Sequence, residues 1–358
     1  MVLAGVVATA GLTACGSDAV TTSATTGGDD GQATSTSVSS APDGPGTSGL
    51  PADFVSAALF SAGDEVVALA PRGAGDPGSQ DEGAAASDLE IVAYRSRDGQ
   101  TWSEEGVASG LDLTGDEFVS GGAGDADTLV LVGADFVEAS SSGPGGRAPL
   151  ALRSHDGLEW ERVADAELAA VRELSAVTVD ADRSGLLAVG EGAAATPQLI
   201  ATDDGASWEV VDATGLEVAD GSETVMALGA SDDAYLAFGL SECDTCSDDA
   251  VAVAWRSDDG TAWAEVELGA LADALDEPNT DLFPALVGTS SGFVAVVEAS
   301  SSGATTAWAS TDGSDWSEVA LDLPDGAELR SVAALGDEAL VLFADDDEPL
   351  LVRVDPTS

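Results

Sequence analysis

SRDGQTW, from Ser96 to Trp102, returns as SHDGLEW (Ser154 to Trp160), TDDGASW (Thr202 to Trp208), SDDGTAW (Ser257 to Trp263) and STDGSDW (Ser310 to Trp316). The tryptophans are spaced by 58, 48, 55 and 53 residues. Each copy holds what a tight reversal needs. Asp98, Asp156, Asp204, Asp259 and Asp312 stand where a carboxylate accepts backbone N–H groups two residues on, and Gly99, Gly157, Gly205, Gly260 and Gly313 supply the positive φ of the reversal. The hydroxyls of Ser96, Ser154, Thr202, Ser257 and Ser310 satisfy further turn donors. The Trp rings wedge beneath the hairpin. The turns are therefore expected to be structural rather than catalytic.

Upstream of these copies lie paired apolar runs with a polar Gly/Asp/Ser break: FVSAALFSAGDEVVALA from Phe54, ELSAVTVDADRSGLLAVG from Glu173, TVMALGASDDAYLAFG from Thr224 and LFPALVGTSSGFVAVVEA from Leu282. Such pairs read as hairpins. A third strand then leads into the Asp-Gly turn and a fourth leaves it, so a repeat near 50 residues built of four antiparallel strands predicts an all-β propeller over 51–358. The pattern recurs a sixth time at LRSVAALGDEALVLFA (Leu329 to Ala344), followed only by PLLVRV. Six blades are expected, the last lacking its outer strand unless the segment just before Phe54 supplies it; Pro51 argues against that.

The repeated S-x-D-G-x-x-W element resembles the Asp-box of sialidase-type propellers, with one residue fewer between Asp and Gly. The resemblance implies a sialidase-like fold. For a sialidase it also implies an arginine triad, a tyrosine nucleophile assisted by Glu, and an Arg-Ile-Pro motif, which this chain lacks. Arg95, Arg153 and Arg256 each precede the hydroxyl residue of a box, so the repeat sends them to equivalent peripheral positions, where carboxylates can pair with them. The only tyrosines are Tyr94 and Tyr235. A catalytic carboxylate pair has no specific signature among 66 acids, and the single histidine, His155, sits at a variable turn position where solvent exposure is expected.

Residues 1–14, MVLAGVVATAGLTA, are apolar and too few to span a bilayer as a helix. They read as the core of an export signal, and Leu12-Thr13-Ala14-Cys15 resembles a bacterial lipobox, which implies diacylglycerol on Cys15. Residues 16–50 are rich in Ser, Thr, Gly and Asp without an aromatic side chain, and read as a disordered tether. The chain is thus expected to be exported and held to the outer face of the cell membrane by lipid alone.

Charge narrows the partners. With 66 acidic residues against 11 basic, no lysine and a net charge of −55, the chain offers nothing for a phosphate backbone to bind, and nucleic acid is excluded. So acidic a chain with apolar strands reads as solvated for high salt, where carboxylate repulsion is screened. Cys243 and Cys246, in an exported chain and amid acids, read as a disulfide rather than a redox pair. Asp180, Asp182 and Ser184, with Gly185 and Glu191, match the letters of a calcium loop. A strand over 186–190 would carry Glu191 too far to close it, leaving at most a weak Ca2+ site, and otherwise no cofactor is expected. The residues therefore point to a monomeric binding or scaffold module for a protein or glycan ligand, with a glycoside hydrolase as the alternative. If Cys15 carries the anchor, Cys15→Ala moves the protein from the membrane to the soluble fraction on cell fractionation; unchanged membrane partitioning would contradict the lipobox reading.

Overall fold

The structure, a computed structural model, describes residues 50–73, 90–111, 113, 117–125, 127–137, 146–179, 185–192, 196–216, 221–243, 251–275, 285–299, 304–324, 326–345 and 348–357. Apart from two 3-10 turns (Ala52–Ser56 and Glu167–Ala170) and the short helix α1 (Ala270–Leu275), its regular elements are strands.

The strands fall into consecutive groups. The first holds β1 (Ala58–Ala62), β2 (Glu65–Arg72), β3 (Glu90–Ser96) and β4 (Ser103–Ala108), and the second β5 (Glu117–Gly124), β6 (Leu129–Val137), β7 (Gly146–Ser154) and β8 (Glu161–Arg162). The third is β9 (Val171–Val179), β10 (Leu186–Gly192), β11 (Pro197–Thr202) and β12 (Glu209–Val210); the fourth is β13 (Gly221–Ala230), β14 (Tyr235–Cys243), β15 (Val251–Ser257) and β16 (Trp263–Val266). The fifth comprises β17 (Ala285–Thr289), β18 (Gly292–Ala299), β19 (Ala304–Ser310) and β20 (Ser317–Val319), and the sixth β21 (Glu328–Leu335), β22 (Glu338–Asp345) and β23 (Glu348–Val354). Within a group, neighbours in sequence pair antiparallel. One parallel pair, Ala62 with Gly124, fuses the first two groups into a single eight-stranded sheet, so hydrogen bonding alone counts five sheets.

The arrangement is propeller-like. Each group's first strand packs on the next group's first strand, from β1 through β5, β9, β13 and β17 to β21, and β21 packs back on β1. Buried serines tie these inner strands. Ser331 Oγ accepts from Leu59 N (2.9 Å) and donates to Leu59 O (3.2 Å), and Ser120 Oγ donates to Leu174 O (2.7 Å).

The second strands show why the sequence yields stacked groups. Leu340, Val341, Leu342 and Phe343 of β22 are all fully buried, because groups cover both faces of the sheet, so the strand is continuously apolar instead of alternating. Burying each such side chain is worth roughly 1.5–3 kcal/mol. The cores lie between groups: Trp208 packs with Val130 and Val132 of β6 as well as Ala188 and Ile200 of its own group.

The Asp-Gly turns also seal the seams. At Gly205 (φ +69) an added Cβ would sit 2.9 Å from Val130 Cγ2 of the preceding group, and at Gly99 (φ +62) 2.9 Å from Leu340 of the sixth, so both conformation and space demand glycine. A second device binds neighbours. Trp160 N donates to Ser109 O and Trp263 N to Thr214 O (2.9 and 2.8 Å), joining the exit of one outer strand to the turn tryptophan of the next group.

The sequence left open whether the last group has an outer strand. The segment just before β1 does not complete the last group: residues 52–56 form a 3-10 turn, with Phe54 buried against Tyr94 and Leu342 in the core between the sixth and first groups. Val354 occupies the position of the box hydroxyl, and Asp355 accepts from Thr357 N at 2.8 Å. Among the described residues β23 has no strand on its outer side.

Candidate functional site

The inner strands surround a channel enclosing about 320 Å³. Four of them carry a bulge at matching places: the pairing skips Ser120 in β5, Ser175 in β9, Met226 in β13 and Arg330 in β21. An extra residue bends a strand and re-aims its side chains. Ser120, Ser175 and Met226 line the channel together with Phe60, Ala176, Thr178, Leu286, Thr289 and Val332. Asp232 is the only charged side chain among its described lining residues. Asp232 stands on its wall, and the turns that follow the first strands carry further exposed acids in Asp64, Asp127, Asp233 and Asp337. With a net charge of −55 over the chain, the field around the channel repels anionic ligands.

The five Asp-Gly turns lie away from this channel, on the hairpins between third and fourth strands. Asp98 Oδ1 accepts from Gln100 N (2.9 Å) and Thr101 N (2.7 Å), and Asp204 Oδ1 from Ala206 N and Ser207 N (both 2.8 Å). Asp156, Asp259 and Asp312 accept the same two backbone donors. Ser154, Thr202, Ser257 and Ser310 each accept from the turn glycine N–H, and Ser96 donates to Asp98. The indoles of Trp160, Trp263 and Trp316 donate to the carbonyls of Gly157, Gly260 and Gly313. Those of Trp102 and Trp208 have no acceptor. Backbone N–H groups favour the charged carboxylate, holding Asp98 and Asp312 down at about 2 and Asp156, Asp204 and Asp259 below their usual value.

Arg95, Arg153 and Arg256 stand on three different groups, paired with Glu65 (3.0 Å), Glu161 (2.5 Å) and Asp258 (2.6 Å). None lines the channel. Arg95 Nη2 also donates to Asp156 O (3.0 Å) and Arg153 Nη1 to Asp204 O (3.4 Å), so these arginines clasp the next group's turn. Tyr235 is buried against Trp263, and exposed His155 bonds Asp127 O at 2.8 Å.

The fold joins Tyr94 to Arg72, which no sequence motif marks. Arg72 grips Glu104 through two nitrogens (2.9 and 2.8 Å), binds Asp53 Oδ2 at 2.8 Å and donates to the Tyr94 hydroxyl, which itself donates to Asp53 (3.1 Å). Burial, then Asp53, raises the Tyr94 phenol, and the two carboxylates keep Arg72 charged. The cluster pins residues 51–57 to the first group, with its one guanidinium already claimed by two acids. Only proximity across 19 to 41 residues could have revealed it, and no local pattern carries that.

Cys15, Cys246, Asp180, Asp182 and Ser184 lie outside the described residues, and Cys243 ends β14. Glu191 lies in β10 and pairs with Arg172 at 3.0 Å. Among the described residues no cluster of three or more His, Cys, Asp or Glu is arranged to hold a metal, and no helix is long and apolar enough to cross a membrane.

No family model and no curated protein matches the chain. Solved structures do. Trypanosoma rangeli sialidase is 15% identical over 84% of this chain and 54% of its own, with a TM-score of 0.51. A protein of unknown function from Dyadobacter fermentans is 14% identical over 84% of this chain and 93% of its own, with a TM-score of 0.50. The chain spans about half the length of the sialidase, and at these identities the likeness shows a sialidase-like propeller fold.

The depressed turn carboxylates give a pH signature. A carboxyl lowered on folding contributes stability above its unfolded value near 3.9, lost as pH falls through the folded value, about 2 for Asp98. Asp98→Asn keeps an acceptor oxygen without the charge. In molar NaCl, where screening removes the general effect of deleting one charge, the variant melts below the parent at pH 7. The gap closes between pH 4 and 2. A gap constant across that range would mean that the charge on Asp98 is not what the turn uses.

Proposed function

We propose that this chain is an exported, lipid-anchored propeller of six blades, one per strand group, that acts as a binding module and takes an uncharged ligand, or the uncharged part of one, into its channel. The observation that carries this reading is the channel wall: small hydroxyl and apolar side chains, one acid in Asp232, and neither arginine nor tyrosine among the described lining residues. A sialoside brings a carboxylate that this wall gives no cation to meet. A run of neutral sugars or an uncharged peptide stretch suits it better, because hydroxyl groups such as Ser175 and Thr178 alternate there with apolar surface.

A second reading, glycoside hydrolysis, draws on the fold's likeness to the sialidase. It requires an acid–base pair supplied from outside the described channel wall.

One experiment separates them. The protein is titrated with neutral and sialylated oligosaccharides and with uncharged peptides, and tested for turnover of aryl glycosides, at low and at molar NaCl. The proposal expects saturable binding of an uncharged ligand, no turnover, and binding lost in Ser175→Trp, which puts an indole into the channel, while that variant keeps its melting temperature. Binding unchanged by Ser175→Trp would place the ligand elsewhere. Turnover of a sialoside or other glycoside would replace this reading with the hydrolase. In the same runs a melting temperature that does not rise with salt would set the high-salt adaptation aside.

A further inference from the structure

Met226 is the only methionine of this chain besides Met1, and it stands in the channel wall. The bulge in β13 puts it there. Val225 is buried in the core between the third and fourth groups and Ala227 in the core between the fourth and fifth, while the pairing with β14 skips Met226. The extra residue is thus aimed at neither core but into the channel, where its thioether is half-buried. The residues at the matching bulges, Ser120, Ser175 and Arg330, carry no sulfur. β13 packs between β9, which brings Ser175 and Thr178 to the wall, and β17, which brings Leu286. Met226 therefore has hydroxyl groups on one neighbouring strand and a leucine side chain on the other.

We propose that Met226 is a sulfoxidation site, reached through the channel by small uncharged peroxides such as hydrogen peroxide. The class of oxidant follows from the site. A channel of about 320 Å³ admits a molecule of a few atoms to the sulfur without unfolding. A net charge of −55 holds anionic oxidants away, whereas a neutral peroxide is indifferent to it. A thioether, unlike a thiol, needs no ionisation to react, so acidic surroundings do not protect it. In the step the sulfur attacks one peroxide oxygen with an electron pair. An S–O bond forms and the O–O bond breaks; sulfur is oxidised to the sulfoxide, and the departing oxygen takes up the proton of the transferred one and leaves as water.

The product changes what the channel offers. A sulfoxide is polar and chiral where the thioether was flexible and apolar. Its oxygen accepts hydrogen bonds, and the Ser175 and Thr178 hydroxyls on the adjoining strand are donors in the same wall. Hydroxyl groups that would meet an uncharged ligand then serve the sulfoxide, and the apolar part of the wall loses a member. This weakening of uptake rests on the channel reading given above; the oxidation itself does not. Return to the thioether takes a reductase for each sulfoxide epimer.

The test is hydrogen peroxide oxidation of the folded full chain, with the added oxygen localised to Met226 by tandem mass spectrometry. The proposal expects Met226 to oxidise within about tenfold of its rate in the guanidinium-unfolded chain, and more slowly again in Ser175→Trp, whose indole fills the channel. A slower rate in the folded parent overturns it, as does a rate that a folded Ser175→Trp leaves unchanged. Binding of the neutral trisaccharides maltotriose, cellotriose and chitotriose is then compared before and after peroxide in the parent and in Met226→Leu. The parent is expected to lose about tenfold in affinity on oxidation, while Met226→Leu, whatever its own affinity, does not respond to peroxide. Equal trisaccharide binding by the oxidised and unoxidised parent overturns the effect on uptake. Oxidation at the expected rate with no trisaccharide bound by either form supports the modification site and counts against the channel reading.

Discussion

Everything inside the ring depends on two atoms of Leu59 meeting one of Ser331, 272 residues apart. This seam is where the first and last strand groups must find each other without covalent help. The bonds are buried, so leaving either unmade would cost the desolvation of a backbone group in addition to the bond. Around it, Ala334 N donates to Ser61 Oγ, and Phe54, Leu59, Ala333, Leu340 and Leu342 form one core drawn from both ends of the described chain. The entropy of closing so long a loop grows only slowly with its length, which is why a ring assembled from local hairpins is affordable at all. Once closed, the six inner strands define the channel, and their bulges decide which side chains it shows.

The second constraint is charge. A chain with six acids for every arginine cannot spend its cations freely, and the described arginines sit where a negative neighbour or a carbonyl needs holding: Arg95 and Arg153 at seams between groups, Arg72 at the incoming chain, Arg353 on Glu338. None of these faces the channel. The same economy that binds the groups together strips the site of the positive charge that an anionic ligand would require. The turn carboxylates work differently, since backbone N–H groups at fixed distance hold their charge without any cation.

The hairpins and their order were legible in the sequence because the signal is local. Asp204, Gly205 and Trp208 lie within five residues, and a β-branched or apolar run on either side of a Gly turn needs no partner to be recognised. What was not legible depends on residues meeting across the ring. The bulged positions are Ser120, Ser175, Met226 and Arg330, two serines, a methionine and an arginine, so no common motif marks them. The grip of Arg72 on Asp53, Tyr94 and Glu104 joins three separate elements, and the glycines after the outer strands are explained only by the neighbour. Gly110, for example, would drive a Cβ to 2.0 Å from Trp160 O. For the last group the sequence left two alternatives, an outer strand from the segment before Phe54 or none; residues 52–56 form a 3-10 turn that buries Phe54 between groups, and the described residues show no outer strand.

The closed ring is tested most directly by removing the hydroxyl at its seam. Ser331→Ala leaves the buried Leu59 N and O without their side-chain partner. Denaturant unfolding should show a loss on the order of 1 to 3 kcal/mol with the slope unchanged, while Ser207→Ala, at an exposed turn position, should be near neutral. Equal stability of Ser331→Ala and parent would mean that β21 and β1 do not close the ring through this contact.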